Sequence, residues 1–326
     1  MNKKIERYPF SLSSMFWDLW CMASIIGIWP RFIEPKMIST THLTLPLPRL
    51  PKGLDGLKIL QFSDLHLHRR VSESFLNKLV KKVRKLSPDI ICFTGDFLCY
   101  GLLDDSQRLQ RLLRAFAAPY GCYAILGNHD YQNYVSINDN GDYDLMDLNV
   151  STRRKGWKRL FNSISLTGKI NPRVHDIPLN QQLVDLLKER PFELLHNETR
   201  CIAIKDCHLN ICGLGEYMLG RCNPKEAFRE YNTSYPGIIL AHNPDSLPSL
   251  KEYPGDVVLC GHTHGGQVNL PGLYKKFMLS ENQELHRGLH KIHDKWVYVN
   301  RGMGGVMQFR WFSMPELLLL TLKRQS

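Results

Sequence analysis

Short aliphatic runs alternate with amphipathic stretches along much of this chain, and that alternation predicts most of its elements. Residues 57–62, 90–93 and 121–126 read as strands from their aliphatic, β-branched and aromatic content. Phe75, Leu76, Leu79, Val83 and Leu86 recur at three- and four-residue spacing, predicting a helix over 75–86 that Pro88 ends. A second helix is predicted over 105–116. Strands alternating with helices imply an α/β protein with a largely parallel sheet, whose ligands gather beyond the strand C-termini. Further on, helices are expected near 179–188 and 225–229, with strands at 192–195, 199–204, 209–212, 237–241 and 256–259. Two last strands, at 296–299 and 317–322, are expected to run antiparallel and close a second sheet.

Two regions depart from this rhythm. Residues 10–30 are apolar apart from serines and Asp18, and carry Trp17, Trp20 and Trp29. Leu12, Met15, Phe16, Leu19, Met22, Ala23 and Ile26 recur at helical spacing, behind a flank of Lys3, Lys4 and Arg7. We read residues 1–33 as an amphipathic membrane-associating segment lying in the interface; a signal anchor and a buried structural helix are the alternatives. Pro30, Pro35, Pro46, Pro48 and Pro51 then mark residues 34–56 as an extended linker. The second departure is a long insertion at about 131–178. Its first part, 131–150, holds four Asp and no Lys or Arg; 151–173 holds seven basic residues and no acid. Irregular segments of this length inside a domain are commonly functional. Arg153, Arg154, Lys155, Lys158 and Arg159 are expected to flank the entrance and meet substrate phosphate or anionic headgroups. A solvated surface excursion is the alternative.

Composition narrows the partners. The 326 residues carry 42 Lys and Arg against 31 Asp and Glu, a formal charge of +11, which suits a polyanionic partner or an anionic membrane surface. Nine cysteines with no Cys-x-x-Cys pair favour a reducing compartment over a disulfide framework.

Candidate chemistry sits at the strand ends. Cys260-Gly261-His262-Thr263-His264-Gly265-Gly266-Gln267 follows one apolar strand. In an extended loop next-but-one side chains point the same way, so His262 and His264 can address one point. Asp64 and His66, Asp96, Asn128 and His129, and His242 likewise follow or end strands. Each offers oxygen or imidazole, and none offers Cys. That is too many ligands for one tetrahedral ion, so two divalent metal ions about 3.5–4 Å apart are inferred. Mn2+ is the expected metal, with Mg2+, Fe or Zn2+ also compatible.

In order, Asp64-x-His66, Gly95-Asp96, Gly127-Asn128-His129-Asp130, the lone His242 and Gly261-His262-x-His264 resemble the motif set of the calcineurin-like metallophosphoesterases, across residues 57–322. The resemblance implies a four-layer αββα sandwich with two mixed β-sheets. It implies that Asp64, His66 and His264 hold one metal, that Asn128, His242 and His262 hold the other, and that Asp96 bridges them. His129 would protonate the leaving group or bind a phosphate oxygen, with Asp130 fixing its tautomer. The stretches around His242 and His264, Arg301-Gly302-Met303-Gly304 and Pro315-Glu316-Leu317 resemble the membrane-associated YaeI/YkuE-type branch. The amphipathic N-terminus and basic charge are similar to a related line, the chlamydial-type UDP-2,3-diacylglucosamine pyrophosphatases of lipid A synthesis. That similarity implies a lipid-linked nucleotide-sugar substrate, cleaved to UMP and a diacylglucosamine 1-phosphate. It also implies a peripheral position on the cytoplasmic face of the inner membrane and no obligate protein partner. Two departures, Gly213-Leu214-Gly215-Glu216 in place of Gly-x-x-Asp and the long insertion, are expected near the substrate entrance. A broad phosphodiesterase and an inactive membrane scaffold are the rival classes. The first has no aromatic-interleaved basic groove for nucleic acid, and the second would need lost ligands, of which there are none.

Overall fold

The aliphatic runs pair as buried strands because both of their faces have something apolar to meet. The computed structural model describes residues 12–147, 164–189, 191–271, 274–278 and 280–325. In chain order the strands are β1 (Ser39–Leu47), β2 (Lys58–Phe62), β3 (Ile90–Thr94), β4 (Cys122–Ile125), β5 (Val135–Ile137), β6 (Tyr143–Leu145) and β7 (Phe192–Leu194). They continue as β8 (Glu198–Ile204), β9 (Cys207–Gly213), β10 (Gly237–Leu240), β11 (Val257–Cys260), β12 (Gly288–Ile292), β13 (Lys295–Val299) and β14 (Glu316–Arg324). One sheet has the order β1-β14-β2-β3-β4-β7 and the other β12-β13-β11-β10-β9-β8, each mixing parallel and antiparallel pairs.

Period-two alternation sorts the side chains into layers. Ile59, Ile90, Cys92 and Ile125 of the first sheet meet Ile211, Ile238, Leu240, Val257 and Leu259 of the second, forming the central core. Leu60, Phe62, Ile91 and Phe93 point the other way, against the helices Glu73–Leu86 and Ser106–Arg114. Ile239, Val258 and Cys260 pack outward beside Ala227, Leu247 and Leu250. The result is the expected αββα sandwich. Each fully buried aliphatic side chain contributes about 1.5–3 kcal/mol relative to an exposed one. Ser72 caps the first helix by accepting from the Phe75 amide, and Asp105 caps the second by accepting from the Arg108 amide at 2.9 Å.

Three expectations change. Residues 34–56 are not a free linker: β1 lies within them and pairs with β14 in parallel from Ser39↔Glu316 to Leu47↔Arg324. Its proline is tolerated because β1 is an edge strand, where a missing N–H leaves no inner ladder broken. The last two predicted strands fall in different sheets, β13 beside β11 and β14 between β1 and β2. Only part of the insertion is irregular, since β5 and β6 form a hairpin that Arg173 braces through Asp144 at 2.6 and 2.8 Å. Arg153, Arg154, Lys155, Lys158 and Arg159 lie outside the described residues.

The N-terminal helix α1 (Leu12–Ala23) runs into a π-helical stretch, Ser24–Ile33. Phe16, Trp17 and Trp20 are 60–66% exposed, so it is not a buried structural helix. Among the described residues no helix is long and apolar enough to cross a membrane. All nine cysteines are free thiols.

Candidate metal centre

The expected ligands meet at one edge of the sandwich because every loop that carries them leaves a strand C-terminus there. Asp64 and His66 follow β2, Asp96 follows β3, Asn128 follows β4, His242 follows β10, and His262 and His264 follow β11. Neighbouring loops are zipped together: the Asp64 amide donates to Gly95 and the His66 amide to Asp96, at 2.8 and 3.0 Å. Asp64, His66, Asp96, His262 and His264 all have φ between +44° and +69°. Left-handed backbone at a non-glycine residue costs on the order of 1–3 kcal/mol, so the fold holds these five against local preference. Gly127 has to be glycine for a different reason. A Cβ there would sit 2.7 Å from both the Asp96 amide nitrogen and His242 Cε1.

The side chains form two adjoining groups, with His66, Asp96 and His129 making a third set between them. Asp64, His66 and His264 make the first, with His66 Nε2 and His264 Nε2 3.2 Å apart and His264 Nε2 3.7 Å from Asp64 Oδ1. Asp96, His242 and His262 make the second. There Asn128 Oδ1 lies 3.3 Å from His242 Nε2 and 3.1 Å from His262 Nδ1. Asp96 Oδ2 is 3.4 Å from His66 Nε2 in one group and 3.4 Å from His242 Nε2 in the other, the position a bridging carboxylate requires. The loop carrying His262 and His264 is not extended, so the two rings part and serve different groups rather than one point.

Proton bookkeeping shows that the donor set fits cations. His66 Nδ1 faces the Leu98 carbonyl at 3.2 Å, and His242 Nδ1 faces the Thr94 carbonyl at 2.7 Å. A carbonyl only accepts, so each Nδ1 carries a proton, and each ring turns its Nε2 toward the Asp96 carboxylate, bare in the case of the neutral His66. Acceptors converging on an acceptor need a cation between them. Burial pushes His66 down to about 4, and it holds His264 and His129 well below the ordinary value, so these rings stay neutral. His242 behaves oppositely. Burial works to lower its pKa, but the Asp96 charge and hydrogen bond outweigh that and raise it well above ordinary. A proton there stands in for a metal.

His129 lies beside both groups, its ring 4.6 Å from that of His66 and edge-on to it. Its Nδ1 accepts from the Tyr100 amide at 2.9 Å, which leaves the proton on Nε2. This corrects the expected role of Asp130. The Asp130 carboxylate instead accepts from the amides of Asp96, Leu98 and Gly127, stapling two loops together. Glu216 is 1% exposed, accepts from the Met218 amide, and burial pushes it up to about 7.

Several contributors were invisible to sequence reasoning. Arg310 places Nη2 3.3 Å from His264 Nδ1, and Ser313 Oγ donates to the His264 carbonyl at 2.7 Å. The Arg301-Gly302-Met303-Gly304 block was the available signal, because Met303 and Gly304 donate to the carbonyls of Ser63 and Asp64.

A double-layered sheet core with oxygen and imidazole ligands at one strand edge suits a metal-dependent hydrolase. Residues 57–266 match the model of the calcineurin-like phosphoesterase family, and the chain belongs to that family. It is accordingly a phosphoester or pyrophosphate hydrolase, of a family that uses divalent metals. Among individual relatives, it is 38% identical to the UDP-2,3-diacylglucosamine pyrophosphatase LpxG of Chlamydia trachomatis, over 90% of this chain and 92% of that protein. It is 40% identical to LpxG of Chlamydia muridarum over the same shares. The uncharacterized metallophosphoesterase YkuE of Bacillus subtilis is 28% identical over 98% of this chain and 99% of its own.

Proposed function

We propose that this enzyme hydrolyses the pyrophosphate of UDP-2,3-diacylglucosamine, releasing UMP and 2,3-diacylglucosamine 1-phosphate in lipid A synthesis. The observation that carries the proposal is the similarity to the two LpxG proteins over 90% of this chain and 92% of each of theirs. Asp64, His66 and His264 would hold one divalent cation and Asn128, His242 and His262 a second, with Asp96 shared; Mn2+ is the expected metal. Such a pair lowers the pKa of a bound water and withdraws charge from a phosphoryl group. The water oxygen bonds to one phosphorus while that phosphorus releases the bridging oxygen, which leaves with the other phosphate. His129 presents Nε2–H to a phosphate oxygen or to that leaving oxygen. Asp130 holds the two loops that place Asp96 and His129. The five basic residues from Arg153 to Arg159 would meet phosphate or headgroups at the entrance.

The acyl chains of such a substrate stay in a bilayer, so the enzyme has to work at one. A peripheral site on the cytoplasmic face of the inner membrane is supported by the exposed apolar residues of 15–33 and by the +11 charge. Turnover of UDP-2,3-diacylglucosamine in mixed micelles, set beside bis(p-nitrophenyl) phosphate and single-stranded DNA, tests the reading. We expect kcat/KM for the lipid to exceed both by several orders of magnitude. Comparable rates on the small diester and the lipid would replace the reading with that of a broad phosphodiesterase.

A further inference from the structure

The exposed apolar segment does not hang from the domain by a loose tether. Immediately after the π-helical stretch, Glu34 turns inward and is only 2% exposed. Its carboxylate accepts from Trp29 Nε1 at 2.9 Å, from the Phe312 amide at 3.1 Å and from the Ser313 amide. The Arg310 amide donates to the Pro30 carbonyl at 2.8 Å, and Arg31 donates to the Gln308 carbonyl. The segment 29–34 is therefore fastened along 308–313, a stretch nearly 280 residues away in sequence.

That same stretch holds His264. Ser313, whose amide Glu34 binds, donates its hydroxyl to the His264 carbonyl. Arg310 is 2% exposed, and both of its Nη atoms donate to backbone carbonyls. Nη1 donates to the carbonyls of Arg301 and Ser313 at 2.8 and 2.9 Å; Nη2 donates to the Gly304 carbonyl and lies 3.3 Å from His264 Nδ1. Three carbonyls from 301, 304 and 313 hold this buried guanidinium, so it is a strut. His264 has φ of +52°, a backbone state that needs such outside support.

We propose that Glu34 and Arg310 are positioning residues that set His264, so that the segment carrying the exposed apolar side chains is part of the metal centre's own scaffold. The inference rests on His264 being a metal ligand. A substrate drawn from a bilayer would then meet a centre one of whose ligands is braced by the lipid-facing segment itself. Partners that orient metal-ligating residues typically change metal affinity 10–100-fold.

The test titrates metal-free, full-length protein with Mn2+ alone, reading free Mn2+ by electron paramagnetic resonance. Wild type should bind two ions, and His264→Ala should lose one. Glu34→Ala should weaken that same ion about 10–100-fold and leave the other within twofold. Glu34→Gln, whose carbonyl oxygen still accepts from the Ser313 amide, should recover most of the loss. Arg310→Lys, which cannot span the three carbonyls, should repeat the Glu34→Ala pattern and serves as the second variant if Glu34→Ala does not fold. Two wild-type affinities in both Glu34→Ala and Arg310→Lys would overturn the inference. So would an equal weakening of both ions with a lowered Tm, which marks a general structural role. If His264→Ala itself keeps two ions, the ligand assignment fails first, a result the Glu34 and Arg310 variants cannot mimic.

Discussion

Removing His129 separates the chemistry from the holding of metal. The ring is 5% exposed, it touches both metal groups, and its Nδ1 is occupied by the Tyr100 amide. Only Nε2–H is left to act on substrate. Losing one preorganised donor to a developing charge costs about 10²–10³ in kcat, roughly 2.7–4 kcal/mol, and up to about 10⁴ if a proton is also transferred. His129→Ala additionally removes the acceptor of the part-buried Tyr100 amide, which costs up to about 1–3 kcal/mol of stability. His129→Asn divides these effects, because its amide oxygen can take the place of Nδ1 and still accept from Tyr100. Both variants should lose activity to the same degree and keep two metals, but only His129→Ala should melt early. The His129 ring is held neutral well below its ordinary 6.5. A donor of this kind should therefore give a wild-type kcat that shows no step near that pH. Steady-state kinetics, metal analysis and thermal melts on the two variants supply the readouts. A variant stripped of metal would show His129 to be a ligand, and a fully active His129→Asn would show that Nε2 does no work.

Other consequences follow from the same geometry. Asp96→Ala should abolish activity and reduce metal content at both positions, because one carboxylate reaches His66 and His242 alike; metal analysis of the purified variant checks it. His242 holds a proton that a metal has to displace, so Mn2+ affinity should rise with pH by up to about tenfold per unit. Calorimetry in buffers of different ionisation enthalpy would count the protons released, and an affinity independent of pH would contradict the assignment. Glu316 is 2% exposed; burial would raise its pKa, but Arg301, Thr41 and Tyr298 together hold it below 4.5. Its contribution to stability is complete above the unfolded value and is lost as the pH falls from there through the lower folded value. Denaturant melts between about pH 5 and 3 should show wild type losing stability over this window, with Glu316→Gln flatter across it.

How much of this was legible in the sequence depends on whether the cause is local. The strands β2, β3, β10 and β11 are legible because burial on both faces leaves almost nothing but apolar residues in them. The ligands are legible because acid, amide and imidazole groups recur just past those strands. Edge strand β1 was missed because its Ser, Thr, His and Pro content suits a half-exposed edge and resembles a linker. The partner of His129 was misread because Asp130 is adjacent in sequence, whereas the Tyr100 amide that holds the ring lies 29 residues earlier. Glu34 gave no sign at all, since nothing in a sequence marks a contact across 279 positions.

Product identification during metal titration tests the central claim most directly. Metal-free enzyme is supplied with UDP-2,3-diacylglucosamine in mixed micelles, Mn2+ is added stepwise, and products are resolved by mass. Full turnover should require two equivalents of Mn2+ and yield UMP and 2,3-diacylglucosamine 1-phosphate in equal amounts. Turnover indifferent to metal, or release of UDP with a diacylglucosamine lacking phosphate, would contradict a two-cation pyrophosphate hydrolase built on Asp96.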